Sequence, residues 1–253
     1  MKNSLRKVAS IEARMGSSRL PGKVLKKFGN ETALSLLVKR LKKSKTLDDI
    51  VIATTVEKRD DLICDWCKSN QIPFFRGSEE DVLDRVVKAH EFMKSDLVIE
   101  ITGDCPFTDP AIIDLAVETF LANKVDVVSN CGNTLTWPLG QYAQVYPFEL
   151  LRNVNERIND QAVHEHVSLF FYENPELFKI YELIAPKRWQ YPDIRIVLDY
   201  REDFTFLTKI FKHLSKKYDI YFGIEEIIKF LNENPKYLDI NKNMIEKSAR
   251  SSC

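Results

Sequence analysis

The sequence lacks several features that would place a protein of this size in a functional class at once. It has no apolar run of about 18 residues, the length that a membrane-spanning helix needs, and its opening, MKNSLRKVAS, lacks the hydrophobic stretch of a secretion signal. Neither charge is in excess, since 37 Lys and Arg residues balance 37 Asp and Glu residues. We therefore expect a cytoplasmic protein that is not drawn to membranes or nucleic acid by its net charge.

Cysteine and glycine are also scarce. Five scattered cysteines in 253 residues do not form a disulfide framework, and Cys64 and Cys67 lack a second pair that would complete a zinc site. We expect these two to lie on the buried face of a helix. The motifs G-x-x-x-x-G-K-[ST], G-x-G-x-x-G and G-x-S-x-G do not occur. Their absence argues against a Walker A loop, a dinucleotide fingerprint and a serine-hydrolase elbow.

The first half of the chain alternates short apolar runs with amphipathic segments. The runs are VASI, DIVIATT, IPFFRG, DLVIEIT and DVVSN, and apolar residues recur at i, i+3 and i+4 in the segments between them. Such runs are typical of strands buried on both faces, and such segments are typical of covering helices. The pattern predicts an α/β fold with a mostly parallel central sheet flanked by helices.

The pattern loosens in the second half. TLTWPLGQYAQVYPFELL predicts an extended piece, and NDQAVHEHVSLFFYENPELF predicts a helix. IRIVLD then predicts a strand that leads into a helix, and GIEEIIKFLNENP predicts a last amphipathic helix. We predict a single domain over residues 1–253, with an inserted segment at about 134–188 that serves acceptor binding or dimer contact.

One basic, glycine-containing stretch, ARMGSSRLPGK at residues 13–23, lies between the predicted first strand and first helix. Ligands of open α/β sheets bind at the carboxyl ends of the strands. Backbone N–H groups near Gly16 and Ser17 could approach a phosphate closely. The stretch also carries three cations, which are Arg14, Arg19 and Lys23.

This stretch is not a Walker A loop. Five residues rather than four separate Gly16 from Gly22, and Val24 replaces the hydroxyl residue that would hold magnesium. We predict a longer and more cationic phosphate loop. The alternative is a solvated basic loop that ends in a Pro-Gly turn.

Two aspartates follow apolar runs and are candidates for a magnesium site. Asp104 follows DLVIEIT and Gly103, and Asp199 ends IRIVLD. Magnesium is usually held by one or two carboxylates together with substrate phosphates. On spacing alone, either aspartate could equally be a turn or cap residue. Asp109, before PAIIDLA, is predicted to be a helix N-cap.

Two further clusters carry charge. In FRGSEEDVLDRV, Ser78 is predicted to be an N-cap, and Arg85 either points toward the sheet edge or forms a surface ion pair with Asp81 or Asp84. In HEH, the rings of His164 and His166 would lie about 200° apart on a regular helix, which argues against a shared metal.

Together these motifs resemble the cytidylyltransferases that make CMP-activated sugar acids. The resemblance includes the Kdo and acylneuraminate enzymes and is greatest for the branch of spore coat polysaccharide biosynthesis protein F. It runs nearly end to end, through ARMGSSRLPGKVL, FRGSEEDVLDRV, ITGDCPFTDP, VSN, EHVSLFFYENPELFKI, LDYREDF and GIEEIIKFLNENP. It implies a nucleotide-diphospho-sugar transferase fold, which is GT-A-like and Rossmann-like.

The resemblance also implies the reaction. A sugar oxygen would attack the α-phosphate of CTP, Mg²⁺ would bridge phosphate oxygens, and pyrophosphate would leave. It implies catalytic roles for Lys23, Arg14 and Asp104, and Mg²⁺ binding by Asp104 and Asp199. The nucleotide contacts it implies are Ala13, Arg14, Gly16, Ser17, Arg19, Lys23, Thr54, Arg85 and Thr102. The resemblance further implies a homodimer.

Several positions depart from the family pattern. Glu12 stands where this branch commonly has Gln, and Thr102 stands where the Kdo enzymes have Gln. TWPLGQYAQV lacks the acidic residues of the relatives, which indicates a different acceptor. The residues predicted to contact that acceptor are Gln141, Tyr142, Gln144, Glu165 and His166.

The leading hypothesis is therefore a cytidylyltransferase that activates a sugar acid for a surface polysaccharide or glycan. The alternatives are a nucleotidyltransferase that uses another NTP or a sugar phosphate, and a glycosyltransferase of the same fold. A further alternative is a nucleotide-binding subunit that has lost turnover.

Overall fold

The computed structural model describes residues 5–132, 134–246 and 249–252. The strands are β1 (Lys7–Glu12), β2 (Lys27–Phe28), β3 (Glu31–Thr32), β4 (Asp49–Thr55), β5 (Phe74–Gly77), β6 (Leu97–Thr102), β7 (Val127–Ser129), β8 (Gln144–Pro147) and β9 (Ile180–Glu182). The α-helices are α1 (Ala33–Leu41), α2 (Asp61–Asn70), α3 (Val82–Met93), α4 (Pro110–Ala122), α5 (Phe148–Arg157), α6 (Gln161–Glu165), α7 (Leu169–Glu173), α8 (Arg201–Tyr218) and α9 (Ile224–Glu233).

Seven of these strands form one sheet in the order β5-β4-β1-β6-β8-β7-β9. Strand β1 pairs in parallel with β4 and β6, and β4 pairs in parallel with β5. Strand β8 runs antiparallel to both of its neighbours, whereas β7 and β9 are parallel to each other. The prediction of a mostly parallel central sheet flanked by helices is therefore confirmed.

Each face of the sheet is covered by its own apolar layer. Ala9 and Ile11 of β1 point into a core shared with α1, α4, α8 and α9, whereas Val8 points to the opposite face, under α3 and α5. This alternation follows from the two-residue period of a strand. Glu12 at the carboxyl end of β1 and Thr102 at the carboxyl end of β6 line an open cavity at one edge of the sheet.

The predicted strand IRIVLD does not form. The segment instead hydrogen-bonds to loops, with Leu139 N to Ile194 O at 2.9 Å and Leu198 N to Asp104 O at 2.8 Å. An isolated bridge joins Leu139 to Arg195. The apolar run is buried because it packs beside the sheet, not because it belongs to it.

Residues 134–188 differ from the prediction in detail. Part of the predicted extended piece is helix α5, with Phe148, Leu151 and Val154 buried at helical spacing. The single helix predicted for NDQAVHEHVSLFFYENPELF is broken into α6 and α7. Strand β9 was not predicted, because its three residues are too short to give a pattern.

The predicted caps have different outcomes. Asp109 caps α4 as predicted, since its carboxylate accepts from the N–H of Ala111. The prediction for Ser78 is wrong, because Asp81 caps α3 and accepts from Asp84 N. The Ser78 hydroxyl instead accepts from the N–H groups of Glu80 and Asp81 in the preceding turn.

The cysteine pair lies where it was expected, since Cys64 and Cys67 are buried on α2. Among the described residues, no group of three or more His, Cys, Asp or Glu side chains is arranged to hold a metal. Within the same residues, no helix combines the length and apolar character needed to cross a bilayer.

Candidate active site

The predicted phosphate loop follows β1 and closes on itself. Gly22 N donates to the carbonyl of Met15 at 3.0 Å, and Met15 N donates to Asp60 Oδ1 at 2.6 Å. Gly22 has a φ of +67°, a left-handed conformation that glycine adopts without strain, and a short 3₁₀ turn begins at Lys23. The loop is thus held at both ends, with its cationic side chains around the open edge of the sheet.

Close packing explains Gly16. A Cβ at this position would lie 2.5 Å from Glu79 Oε1 and 2.6 Å from Arg59 Nη2, which form an ion pair beneath the loop. Arg14 Nη1 also donates to the carbonyl of Glu79, at 3.3 Å. The loop therefore rests on residues 57–79, and its backbone faces the edge of the sheet.

Lys23 joins the two predicted metal-binding aspartates. Its Nζ lies 2.6 Å from Asp104 Oδ2 and 2.7 Å from Asp199 Oδ1. Burial opposes the charge of this ammonium, but the two carboxylates outweigh burial and raise the pKa of Lys23. Burial likewise opposes ionisation of Asp104, but Lys23 holds its pKa below the usual value. Three charges from distant parts of the chain are thus stabilised together.

A second layer of charge fixes Asp199. Its Oδ2 lies 2.9 Å from Arg19 Nη2 and 3.0 Å from Arg195 Nη2. Arg195 also pairs with the fully buried Asp203 at 3.0 Å. The carboxylate of Asp203 accepts from the backbone N–H groups of Asp199 and Tyr200 at the start of α8. This network holds Asp199 in place although no strand delivers it.

A cavity of about 450 Å³ opens at this edge of the sheet. The predicted site residues that line it are Ala13, Arg14, Ser17, Arg19, Lys23, Arg85, Thr102, Asp104, Tyr142, Glu165, His166 and Asp199. Most of the predicted nucleotide, metal and acceptor contacts therefore face one open cavity.

Four predicted residues do not line this cavity. Gly16 is on the side of the loop that packs against Arg59 and Glu79, and Thr54 is fully buried on β4. The amide of Gln141 is used inside the fold, because it accepts from Asp109 N at 3.0 Å and donates to Phe107 O at 2.9 Å. Gln144 is buried on β8. The structure thus separates Gln141 and Gln144 from Tyr142, Glu165 and His166.

The two histidines of HEH diverge, as their spacing predicted. His164 Nδ1 lies 2.7 Å from Asp81 Oδ1 and its Nε2 lies 2.8 Å from the carbonyl of Ile158, which ties α6 to α3. His166 lines the cavity instead, and burial lowers its pKa. His164 therefore has a structural position, and His166 faces the open space.

Glu12 and Arg85 lie together in the cavity wall. Burial, and then the negative charge of Glu100, raise the pKa of Glu12, whereas the charge of Arg85 lowers it. Arg85 forms neither of the ion pairs that the sequence allowed. It is only 1% exposed, and its Nη1 donates to the carbonyl of Ser78.

Several residues of this site were not predicted from the sequence. Arg195 and Asp203 form the buried support of Asp199, and Glu246 accepts a hydrogen bond from the hydroxyl of Tyr142 at 3.1 Å. The spacing of Asp199 and Asp203 over the first turn of α8 is the one available signal, since acidic residues favour helix N-termini. Nothing in the sequence points to Glu246.

The donor set fits a divalent magnesium ion. Oxygens of Asp104 and Asp199 converge on one cation, the Lys23 ammonium, from 2.6 and 2.7 Å. Hard carboxylate oxygens are the ligands that Mg²⁺ takes beside substrate phosphates, and it needs only one or two of them from the protein. The ammonium therefore occupies a position at which these carboxylates can also hold a metal.

An open α/β sheet with a cationic loop and two converging carboxylates at its carboxyl edge has the form of a nucleotide-binding transferase. Residues 8–244 match the family model described as Cytidylyltransferase. An uncharacterized protein of Methanocaldococcus jannaschii is 41% identical over 244 residues, which cover 96% of this chain and 97% of that protein.

Two further comparisons agree. The spore coat polysaccharide biosynthesis protein SpsF of Bacillus subtilis is 36% identical over 231 residues, which cover 89% of this chain and 93% of the relative. A solved cytidylyltransferase structure from Leptospira borgpetersenii matches with a TM-score of 0.87 and 30% identity, over 97% of this chain and all of that one. The chain belongs to the cytidylyltransferase family, and it is a nucleotidyltransferase.

Proposed function

We propose that this enzyme transfers the cytidylyl group of CTP to a sugar acid, with release of pyrophosphate, for the synthesis of a surface polysaccharide or glycan. One observation carries the proposal: Asp104 and Asp199 meet the phosphate-loop lysine, Lys23, at the carboxyl edge of the sheet. Family membership, and the likeness to a spore coat polysaccharide biosynthesis protein, support the same reading.

The loop residues would hold the triphosphate. Arg14, Arg19 and Lys23 line the cavity from one continuous stretch, and Ser17 lies among them. Arg19 and Lys23 are paired with aspartates, so their positions are fixed before a nucleotide arrives. Cations set in place in advance stabilise charge that develops on phosphate oxygens without further rearrangement. Ala13, Thr102 and Arg85 remain predicted nucleotide contacts in the same cavity.

Asp104 and Asp199 would hold Mg²⁺. When bound, the ion neutralises phosphate charge and makes the α-phosphorus more electrophilic. The ion and Lys23 compete for the same carboxylate oxygens, so we expect the Lys23 ammonium to turn to a phosphate oxygen in the nucleotide complex.

The reaction is a substitution at phosphorus. A hydroxyl oxygen of the acceptor forms a bond to the α-phosphorus of CTP, and the bond from that phosphorus to the bridging oxygen of the leaving group breaks. Pyrophosphate departs, and the proton of the hydroxyl passes to solvent. Positioning and charge neutralisation supply most of the catalysis in such a step. This agrees with a site that is rich in cations and carboxylates.

Pyrophosphate release tests the proposal. Purified protein with Mg²⁺ is given CTP, ATP, GTP or UTP together with 3-deoxy-manno-octulosonate, N-acetylneuraminate or no acceptor. We expect release that depends on both CTP and an acceptor, with a CMP-sugar seen by mass spectrometry. Release with another nucleotide alone would point to a different nucleotidyltransferase. Consumption of a nucleotide sugar without pyrophosphate would point to a glycosyltransferase.

The homodimer and the cytoplasmic location stay predictions. Strand β9 is the outer edge of the sheet. Tyr181 on this strand, and Leu177 and Ile184 near its ends, are large, exposed apolar side chains. A second copy covering this edge would remove them from water. Light scattering during gel filtration would give the mass, and Leu177→Glu should reduce it to that of a monomer. A wild-type mass of one chain would contradict the dimer.

A further inference from the structure

The walls of the cavity carry more acidic groups than the binding of a triphosphate explains. Lys23, Arg19, Asp104 and Asp199 form one ion-paired network. Outside this network the cavity is also lined by three carboxylates, which belong to Glu12, Glu165 and Glu246. An acceptor that is recognised only by its own carboxylate would meet like charges there.

Glu12 is the carboxylate that lacks a hydrogen-bond partner for one of its oxygens. Its Oε1 is shielded from water and has no hydrogen-bond partner. Burial and the negative charge of Glu100, two residues before the end of β6, raise the pKa of Glu12. A buried carboxyl oxygen without a hydrogen-bond partner costs stability. Glu12 also lines the cavity, where a bound ligand can supply the missing hydrogen bond.

Arg85 does not donate a hydrogen bond to this oxygen of Glu12. Its Nη1 donates to the carbonyl of Ser78, and its buried Nε has no partner. A Cβ on Gly77 would lie 2.9 Å from Arg85 Cγ, so strand β5 packs tightly against this side chain. His166 Nε2 and Arg19 Nη1 are further buried atoms without a partner, on residues that line the same cavity. Unsatisfied polar atoms that gather in one cavity indicate a place built for a polar ligand.

We propose that Glu12 is a specificity-determining residue that selects an acceptor carrying a protonated amino group. The ammonium donates to Glu12 Oε1, and the Nε–H of Arg85 stays available for an oxygen of the bound substrates. A hydroxyl could satisfy the same oxygen, but it would add no positive charge beside Glu12, whose ionised form is disfavoured by burial and by the charge of Glu100. An ammonium supplies both the hydrogen bond and the opposite charge, and such charge-assisted bonds are about twice as strong as neutral ones.

This inference rests on the proposed function, because it deepens the description of the acceptor. Its test uses binding, so that it can fail separately from turnover. Calorimetry measures the affinity of protein saturated with Mg²⁺ and α,β-methylene-CTP for 3-deoxy-manno-octulosonate. The same measurement is made for a set of analogues that each have one hydroxyl replaced by an amine.

We expect at least one amino analogue to bind the wild type about tenfold more tightly than its hydroxyl parent, a difference of about 1.4 kcal/mol. Glu12→Gln keeps the size of the side chain and removes its charge, so it should lose this preference. Glu12→Asp keeps the charge and should retain part of it. The matched control is Glu233→Gln, at an exposed position on α9, which should behave as the wild type.

Several results would overturn the inference. These are an absence of any preference for an amine in the wild type, the same preference in Glu12→Gln, and a weaker affinity of Glu12→Gln for the nucleotide analogue. Equal loss of kcat with every acceptor, together with loss of one ionisation from the pH profile, would make Glu12 a general base instead. An amine preference in binding without pyrophosphate release would contradict the proposed function and leave the inference standing.

Discussion

The ammonium of Lys23 lies 2.6 Å from Oδ2 of Asp104, and this contact ties the phosphate loop to the loop that follows β6. Burial disfavours the charged form of each group, and their contact offsets part of that cost. The pair therefore prepares the site before substrates bind. It also holds in place the carboxylate that we propose as a magnesium ligand.

Removal of this carboxylate should abolish turnover without unfolding the protein. We expect Asp104→Ala to lower kcat for pyrophosphate release by on the order of 100-fold to 1,000-fold, because a charge that acts on the transition state is lost. Lys23 would keep its contact with Asp199, so circular dichroism and the unfolding midpoint should change little. Asp239→Ala removes an exposed aspartate that pairs with Lys242 and is the control. Full activity of Asp104→Ala would refute the role of this residue.

Loss of the lysine should make the fold depend on magnesium. In Lys23→Met, Asp104 and Asp199 lose the cation between them. Asp199 keeps its pairs with Arg19 and Arg195, but Asp104 is left without its charged partner, which destabilises the protein. Mg²⁺ alone should then raise the unfolding temperature of the variant more than that of the wild type, because it supplies the missing charge.

Thermal unfolding with and without Mg²⁺ measures this effect. Lys242→Met, at an exposed lysine that pairs with Asp239, shows whether Mg²⁺ acts on the protein generally. Calcium serves as a second probe of the same oxygens. Equal shifts in both variants and the wild type would mean that the two aspartates do not form the cation site.

The sequence correctly predicted that Asp104 and the basic loop meet at one edge of the sheet. Asp104 follows β6 and the loop follows β1, and neighbouring parallel strands bring their carboxyl ends together. The sequence could also assign Asp109 to the helix cap that it forms. Both predictions needed only the local sequence pattern and the rule that the carboxyl ends of parallel strands lie at the same edge of a sheet.

Other parts of the site depend on contacts between residues far apart in the chain, which a local sequence pattern cannot predict. Asp199 reaches the site because Leu198 N bonds to the carbonyl of Asp104, not because a strand ends there. The sequence predicted that Gln141 contacts the acceptor. In the structure its side-chain oxygen instead accepts a hydrogen bond from the N–H of Asp109 at the start of α4. The unpartnered oxygen of Glu12 becomes visible only when the burial of every neighbour is known.

Two glycines at the site should respond differently to alanine. A Cβ on Gly103 would lie 2.4 Å from the carbonyl oxygen of Glu12. This oxygen belongs to the backbone of β1, so it cannot move aside as a side chain can. A Cβ on Gly16 would meet the ends of the Arg59 and Glu79 side chains, which can move aside. We expect Gly103→Ala to lower the free energy of unfolding by about 2 to 3 kcal/mol, and Gly16→Ala by less than about 1 kcal/mol.

Urea unfolding at neutral pH compares the two variants. Gly16→Ala should nevertheless weaken CTP binding, because the loop must shift when the ion pair beneath it opens. Equal stability losses would show that the loop is as rigid as the sheet. An unchanged affinity for CTP would separate Gly16 from the phosphate site.

His90 should make the stability of the protein fall in acid. The ring is completely buried near the end of α3, its Nδ1 lies 2.8 Å from Ser95 Oγ, and burial lowers its pKa to about 3. In the unfolded chain the pKa is about 6.5. Between these values the unfolded state binds a proton that the native state does not. The free energy of unfolding therefore falls as the pH falls, by about 1.4 kcal/mol per unit.

Comparison with His90→Gln isolates this contribution, because the other titrating groups are common to both proteins. Urea unfolding is followed from about pH 7.5 to about pH 4.5. Above about pH 6.5 the stability difference between wild type and variant should be constant. Below that pH the wild type should lose its advantage steadily, and the two curves should converge or cross. Parallel curves over the whole range would mean that His90 takes up its proton in the folded protein, and that its burial does not control the acid stability of the enzyme.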